Sequence, residues 1–405
     1  MDFKRTHILD ELISTTDNKL IKILIGIRRV GKSYILEMFQ KYLIKLGNFE
    51  NCFTYDFNDK VILTKFNNWK KLYKDILKQS VKNKINYVFL DEIQLIKNFP
   101  DLIITLYANK EYKYDIYITG SNATLLSTEL GTNFTGRHYD IKIWPITFKE
   151  FFEYNIHTFS KNEMLEFYIR NGGMGIIIPS LKNEGNIKNI IKVIYHDCLL
   201  KDIKQRYKIK NITELEELNK YLFDTIGNPI SIEKMEQWFK KNKNSKITKM
   251  TIQKYIKHLC DAFILKKINY YDIRGSKIIN SSPKYYATDL GILYLNHNYK
   301  YYYNFGYKLE NLVLLELLNS KYEVYTHITK NKKEIDFVAI KDNKTTFIQV
   351  CETINSEEVF KREFGNLKDV GKTGKKLVLS LDNTLHNECD DIEHKNIVEW
   401  LLENK

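Results

Sequence analysis

The chain has 405 residues, 43% hydrophobic and 28% charged; this excludes wholesale disorder and, at about 150 residues per domain, predicts two to three domains. Its 63 basic and 50 acidic residues give a net charge of +13, which permits an anionic partner such as nucleic acid; because Lys, Asn, Ile and Tyr are abundant throughout, only local clustering of charge is informative. No apolar run approaches the roughly 18 residues of a membrane span and no N-terminal stretch reads as a signal peptide. The five scattered cysteines, with no C-x-x-C pair, argue against a disulfide framework or a structural zinc and fit a reducing cytoplasm.

From residue 21 to about 144, short apolar runs at 22–25, 53–57, 87–90, 115–119 and 139–143 alternate with helical patterns at 33–45, 67–80 and 102–108. Such alternation predicts an α/β fold with a parallel sheet covered on both faces. From 147 to about 206 the pattern is helical, broken at Asn171-Gly172-Gly173. Three helical patterns then follow (214–223, 231–240, 248–260), leading to apolar runs at 263–269 and 284–287 around a polar loop at 272–282. Three helices and a two-stranded ribbon are the plan of a winged helix. The last hundred residues read as helix 307–318, strands 323–327, 334–340 and 345–350, helix 359–370 and strand 376–381, a separate small α/β domain.

Gly26-Ile27-Arg28-Arg29-Val30-Gly31-Lys32-Ser33 fits G-x-x-x-x-G-K-[ST]. Glycines let backbone N–H groups turn onto phosphate oxygens, the lysine reaches the β- and γ-phosphates, and the Ser33 hydroxyl ligates Mg²⁺. A strand precedes the loop and a helix follows it, adding its dipole to the anion site. The apolar strand 87–90 ends in Asp91 and Glu92, at the end of a parallel strand where such sheets bind ligands. Asp91 suits Mg²⁺ through its water shell, and Glu92 suits polarisation of an attacking water. Ile116-Tyr117-Ile118-Thr119-Gly120-Ser121-Asn122 ends another strand in polar groups, where an amide or hydroxyl can position that water. Gly136-Arg137 stands before the next strand, where an arginine finger has its place.

With these motifs, and with Leu90-Asp91-Glu92-Ile93-Gln94, Pro145-Ile146-Thr147-Phe148, Gly172-Gly173, Asp202 to Tyr207, Thr288-Asp289-Leu290-Gly291 and Glu310-Asn311, the chain resembles the prokaryotic AAA-type P-loop ATPases. More closely, it resembles the subgroup with a C-terminal nuclease-like domain of unknown function. The resemblance implies ATP as nucleotide, Asn122 as the sensor residue, and a winged helix between the ATPase and the C-terminal domain. It sets an ATPase domain at 1–150, a helical lid at 151–210, a winged-helix module at 211–295 and a restriction-endonuclease-like domain at 296–405. The proline usual after the Gly-Gly pair is replaced by Met174.

On the helical pattern 248–260, Ile252, Tyr255, Ile256 and Leu259 form an apolar stripe. The opposite face offers Lys249, Gln253, Lys254, Lys257 and His258, and the following loop Arg274 and Lys277, residue types that meet phosphates and groove edges of duplex DNA. In active restriction-endonuclease-like proteins a Glu on the first helix, an Asp on the second strand and Glu-x-Lys on the third hold a divalent metal. The matching positions here are Glu310, Asp336 and Gln349-Val350-Cys351. A thiol neither supplies the lysine's charge nor suits a hard cation, so nuclease chemistry is not expected. The sequence thus predicts an ATPase, in one reading acting on DNA and in the other a nucleotide switch binding protein partners, with a homo-oligomer the setting for Arg137; an ATP-powered nuclease is the third reading.

Overall fold

The computed structural model describes residues 5–120, 136–155, 159–180, 184–243, 245–272, 277–296, 305–370, 374–385 and 391–403. The chain divides into two compact units, residues 1–143 and 144–405.

In the first unit β1 (Ile21–Ile25) is buried along its whole length, as a strand covered on both faces must be. With β2 (Cys52–Asp56), β3 (Ile85–Asp91), β4 (Lys113–Gly120) and β5 (His138–Lys142) it forms a parallel sheet in the order β2-β3-β4-β1-β5. The helices present apolar stripes to it: Ile35, Leu36, Phe39 and Leu43 of Lys32–Lys45, Leu72 and Ile76 of Trp69–Gln79, and Leu102, Ile103 and Leu106 of Phe99–Tyr107. Phe39, Phe89 and Tyr117 stack into one aromatic group, with ring centroids 5.0 Å apart for Tyr117 against each of the other two. Two helices were not expected, Thr6–Ser14 and the six-residue Lys60–Lys65.

The second unit begins with helices Phe148–Asn155, Lys161–Asn171 and Glu184–Asp197, the last running into a π-helical stretch Cys198–Gln205. Helices Ile212–Asp224, Ile232–Lys243 and Lys249–Asp261 lead into an antiparallel hairpin of β6 (Leu265–Asp272) and β7 (Lys277–Ala287). The polar loop expected at 272–282 is therefore shorter than its composition implied, because β7 starts at Lys277 and runs through Pro283. An outermost strand tolerates proline and polar residues, since its pairing uses only backbone groups. After helices Leu290–Asn296 and Phe305–Asn319 come β8 (Glu323–Ile328), β9 (Glu334–Lys341), β10 (Lys344–Val350), helix Glu357–Lys368, β11 (Lys375–Ser380), β12 (Ile392–Asn396) and helix Ile397–Leu402. All seven strands join in one sheet, β12-β11-β10-β9-β8-β6-β7, through a parallel contact of Tyr270 with Thr326. The C-terminal strands, expected as a separate module, thus share their sheet with the hairpin.

Two sequence motifs meet in this unit. Gly172 has φ +75°, and a Cβ there would stand 2.4 Å from both carboxylate oxygens of Asp289. Asp289 accepts from the N–H of Gly173 (2.9 Å) and of Ile292 (3.1 Å), and the carbonyl of Gly173 accepts from Ile146 N–H at 2.8 Å. Gly172-Gly173 and Thr288-Asp289-Leu290-Gly291 are therefore the two halves of one buried junction. Among the described residues no helix is long and apolar enough to cross a membrane.

Candidate functional site

The loop 26–31 leaves the C-terminal end of β1, flanked by β4 and β5. Ile27 and Val30 are buried and pin the loop to the core, which explains the apolar residues inside a phosphate-binding motif. Gly26 is a steric requirement: a Cβ would lie 2.4 Å from the carbonyl oxygen of Ile143. Arg29 and Gly31 turn the chain through positive φ, 63° and 109°. Lys32 is buried, its ammonium donating to the carbonyls of Gly26 (2.9 Å) and Ile27 (3.1 Å), so the cation is held inside the loop it must serve. Arg28 is half-buried and Arg29 exposed; the Ser33 side chain is exposed at the first turn of the helix.

β4 lies between β3, which carries the acidic pair, and β1, which carries the loop. Thr119, wholly buried, pairs in register with Leu24. Its hydroxyl donates to the buried carboxylate of Asp91 and accepts the N–H of Glu92 at 2.9 Å. Glu92 sits at φ 54°, turned out of the strand direction, and its carboxylate accepts from the side-chain amide of Gln94. Among the described residues this end of the sheet offers the buried Lys32 ammonium, the exposed Ser33 hydroxyl and the carboxylates of Asp91 and Glu92, which suit a nucleotide with its divalent cation.

Asn122, the expected sensor, and Arg274 lie outside the described residues. Arg137 is exposed and places its guanidinium over the Tyr107 ring, 5.6 Å from the centroid. It immediately precedes β5, whose first residue His138 pairs with Ile21 at the start of β1. Arg137 is therefore at the opposite end of the sheet from the loop after Ile25, about 17 Å away at about 3.3 Å per residue. An action on its own chain's loop, open from sequence, is closed by this distance.

On helix Lys249–Asp261, Ile252, Ile256 and Leu259 are buried and Tyr255 half-buried, while Lys249, Gln253, Lys254 and Lys257 are exposed. Lys249 pairs with Glu233 at 3.2 Å. His258 departs from the expected exposed face: it is half-buried and stacks on Tyr207 with ring centroids 3.5 Å apart, and burial pushes its pKa below the usual value. Lys277 opens β7, with its side chain outside the described residues.

Glu310, Asp336, Gln349 and Cys351 do come together, lining a pocket of about 650 Å³ with Lys284, Glu334, Arg362 and Glu363. Gln349 is held at both ends: its carbonyl accepts from Asp336 N–H at 2.9 Å and its amide donates to Glu363 at 2.7 Å. Glu363 in turn takes the Arg362 guanidinium at 2.6 Å. Cys351 belongs to an apolar cluster with Val338, Phe347, Phe364 and Val378, and burial pushes its thiol pKa up. Burial also raises the carboxyls of Glu310 and Asp336. Lys284 was not expected from sequence; its partners are 26 and 50 positions away, beyond the reach of any local pattern.

Residues 18–152 match an AAA domain family, and residues 162–299 match a domain of unknown function, DUF8612. The chain is 31% identical to an uncharacterized protein of Haemophilus influenzae, over 98% of both chains. It belongs to that protein's family. An uncharacterized protein of Methanocaldococcus jannaschii is 32% identical over 83% of this chain and 75% of its own. Among solved structures, a Walker-type ATPase of Pyrococcus abyssi superimposes with a TM-score of 0.50 at 14% identity, covering 73% of this chain and 96% of that one. The family's N-terminal unit is thus an AAA-type P-loop ATPase domain, as its motifs implied.

Proposed function

We propose that the chain is a Mg²⁺-dependent ATPase of the cytoplasm that couples hydrolysis to binding or remodelling of duplex DNA. In this reading residues 151–210 act as lid, 211–295 as a winged helix, and 296–405 as a restriction-endonuclease-like domain without nuclease chemistry. The observation that carries it is the bridge from Asp91 through Thr119 to Glu92, one strand away from the loop that holds Lys32. Mg²⁺ bound with ATP would neutralise charge on the transferred phosphoryl group. Lys32 would bind the β- and γ-phosphates, Ser33 and Asp91 would hold the metal, and Glu92 would orient the water and take up its proton. Asn122 is assigned to the γ-phosphate side, and Arg137 to a neighbouring subunit's site.

The DNA reading is supported by the order of three helices and a hairpin, and by the exposed Gln253, Lys254 and Lys257 on one helix face. The second reading, a nucleotide switch that binds protein, is favoured by Met250 at 65% and Ile278 at 47% exposure on the same helix and hairpin, since apolar side chains there suit a protein surface better than phosphates. ATP turnover measured with and without duplex DNA, at low and moderate salt, separates the two. Stimulation that fades with salt, and is absent in Lys32→Ala, supports action on DNA. Turnover indifferent to DNA at every salt concentration refutes it and leaves the protein partner. The absence of nuclease chemistry is checked by incubating supercoiled DNA with the protein in Mg²⁺ and Mn²⁺, where Asp336-dependent cleavage would overturn it.

A further inference from the structure

The pocket beside β9 and β10 gathers the carboxylates of Glu310, Glu334, Asp336 and Glu363. Arg362 pairs with Glu363; Lys284, the other cation among the described lining residues, contacts Glu310 and Glu334. Its side chain is 1% exposed, with the ammonium 3.2 Å from Glu310 Oε1 and in direct contact with Glu334 Oε1. The same two carboxylates are engaged by two tyrosines of the same hairpin. The Tyr286 hydroxyl donates to Glu310 at 2.5 Å and the Tyr270 hydroxyl to Glu334 at 3.2 Å. Next to them, the Asn311 side chain accepts from Ala287 N–H at 2.8 Å and donates to its carbonyl at 2.9 Å.

A hard divalent ion needs about six oxygens at roughly 2.0–2.5 Å. The Lys284 ammonium already takes one oxygen each of Glu310 and Glu334, one oxygen of Asp336 accepts the Val350 N–H at 2.8 Å, and Gln349 offers a neutral amide whose oxygen already accepts the Asp336 N–H. We propose that Lys284 is the built-in cation of this pocket: it fills the place a divalent metal would otherwise take, keeps metal out, and fastens hairpin β6–β7 to the C-terminal strands. Burial opposes the charge on Lys284, but the carboxylates of Glu310, Asp336 and Glu334 outweigh it and raise its pKa, so the ammonium is permanent across the physiological range. This holds whether or not the ATPase reading does, because no residue of the P-loop unit takes part.

The test uses the full chain without nucleotide and Mn²⁺ alone as probe, counting only the binding that Asp336→Asn removes. Wild type and Lys284→Arg are expected to show none. Lys284→Met, which deletes the charge at similar volume, is expected to melt lower, to gain the Asp336-dependent Mn²⁺ binding that wild type lacks, and to recover its melting temperature when Mn²⁺ is added. Should Lys284→Met be insoluble, soluble protein obtained in Mn²⁺ that unfolds on chelation supports the proposal equally. Asp336-dependent Mn²⁺ binding by wild type overturns it, as does a Lys284→Met chain that gains no Mn²⁺ site or stays insoluble with Mn²⁺ and without it.

Discussion

Thr119 shows how one side chain fixes a site. Its hydroxyl is buried with both roles used, donor to Asp91 and acceptor from Glu92 N–H. Thr119→Val keeps the shape and removes both bonds, leaving a buried carboxylate oxygen and an amide unsatisfied. The expected loss is about 1–3 kcal/mol of stability in the first unit, read by denaturant titration, together with slower ATP turnover. Glu92→Gln differs in kind. It leaves the cradle and the Thr119 bonds intact, so nucleotide binding should persist while turnover falls about 10²- to 10⁴-fold, the range for a positioned acid–base group. Lys32→Ala should instead weaken binding itself, and equal turnover by Glu92→Gln and wild type would remove Glu92 from the chemistry. Glycines, Lys32 and the acidic pair were legible because the chemistry requires those residue types at adjacent positions. Thr119 was visible only as part of a polar strand end, and Lys284 not at all, because its meaning depends on Glu310 and Glu334 arriving from other elements.

At the scale of elements, the junction of helix Lys161–Asn171 with the start of helix Leu290–Asn296 explains two motifs that carry no chemistry. Gly172→Ala should be costly, about 1–3 kcal/mol for the backbone conformation alone, with the contact against Asp289 added. Gly365→Ala, inside helix Glu357–Lys368 with its nearest neighbour at 3.6 Å, should instead gain up to about 1 kcal/mol. Burial raises the Asp289 carboxyl from 3.8 to about 6 against the pull of the backbone N–H groups of Gly173, Ile292 and Gly291. A folded pKa above the unfolded one means a stabilising contribution that is complete below about pH 3.8 and lost as pH rises through about 6. Asp289→Asn does not titrate, so its stability deficit relative to wild type should shrink by on the order of 2–3 kcal/mol between pH 4 and 7, read from denaturation of residues 144–405 at each pH; a deficit independent of pH would show that Asp289 does not titrate in that window. Most of the longer elements with a buried stripe were legible, their ends shifting by up to three residues, while Thr6–Ser14, Leu290–Asn296 and Ile397–Leu402, short helices with buried residues, were not. Lys60–Lys65 has no buried residue and so no period to read, and β7 was hidden by Pro283 and its polar neighbours because the backbone of an outer strand pairs regardless of side chain.

At the scale of the whole molecule, the position of Arg137 limits where it could act. The parallel sheet places every loop that follows a strand at one end and every residue that precedes a strand at the other. Arg137 precedes β5, and Gly26 follows β1, its parallel neighbour, so no rotamer of Arg137 spans the length of the sheet to its own phosphates. Its stack on Tyr107 keeps it at the surface, where a second copy of the chain can meet it. If the residue contributes to hydrolysis, it does so in a neighbour's site. Turnover per chain should then rise with protein concentration in wild type, and Arg137→Ala should lose turnover while still binding nucleotide. Mixing two inactive chains gives the decisive measurement. In an oligomer of Arg137→Ala with Glu92→Gln, an interface that joins the intact Glu92 of the first to the intact arginine of the second carries both working halves, and activity should return. Mixtures that stay inactive, with turnover per chain flat across concentration, would show that Arg137 is not a finger in trans, and since the fold leaves it no route to its own site, any loss of turnover in Arg137→Ala would then be structural.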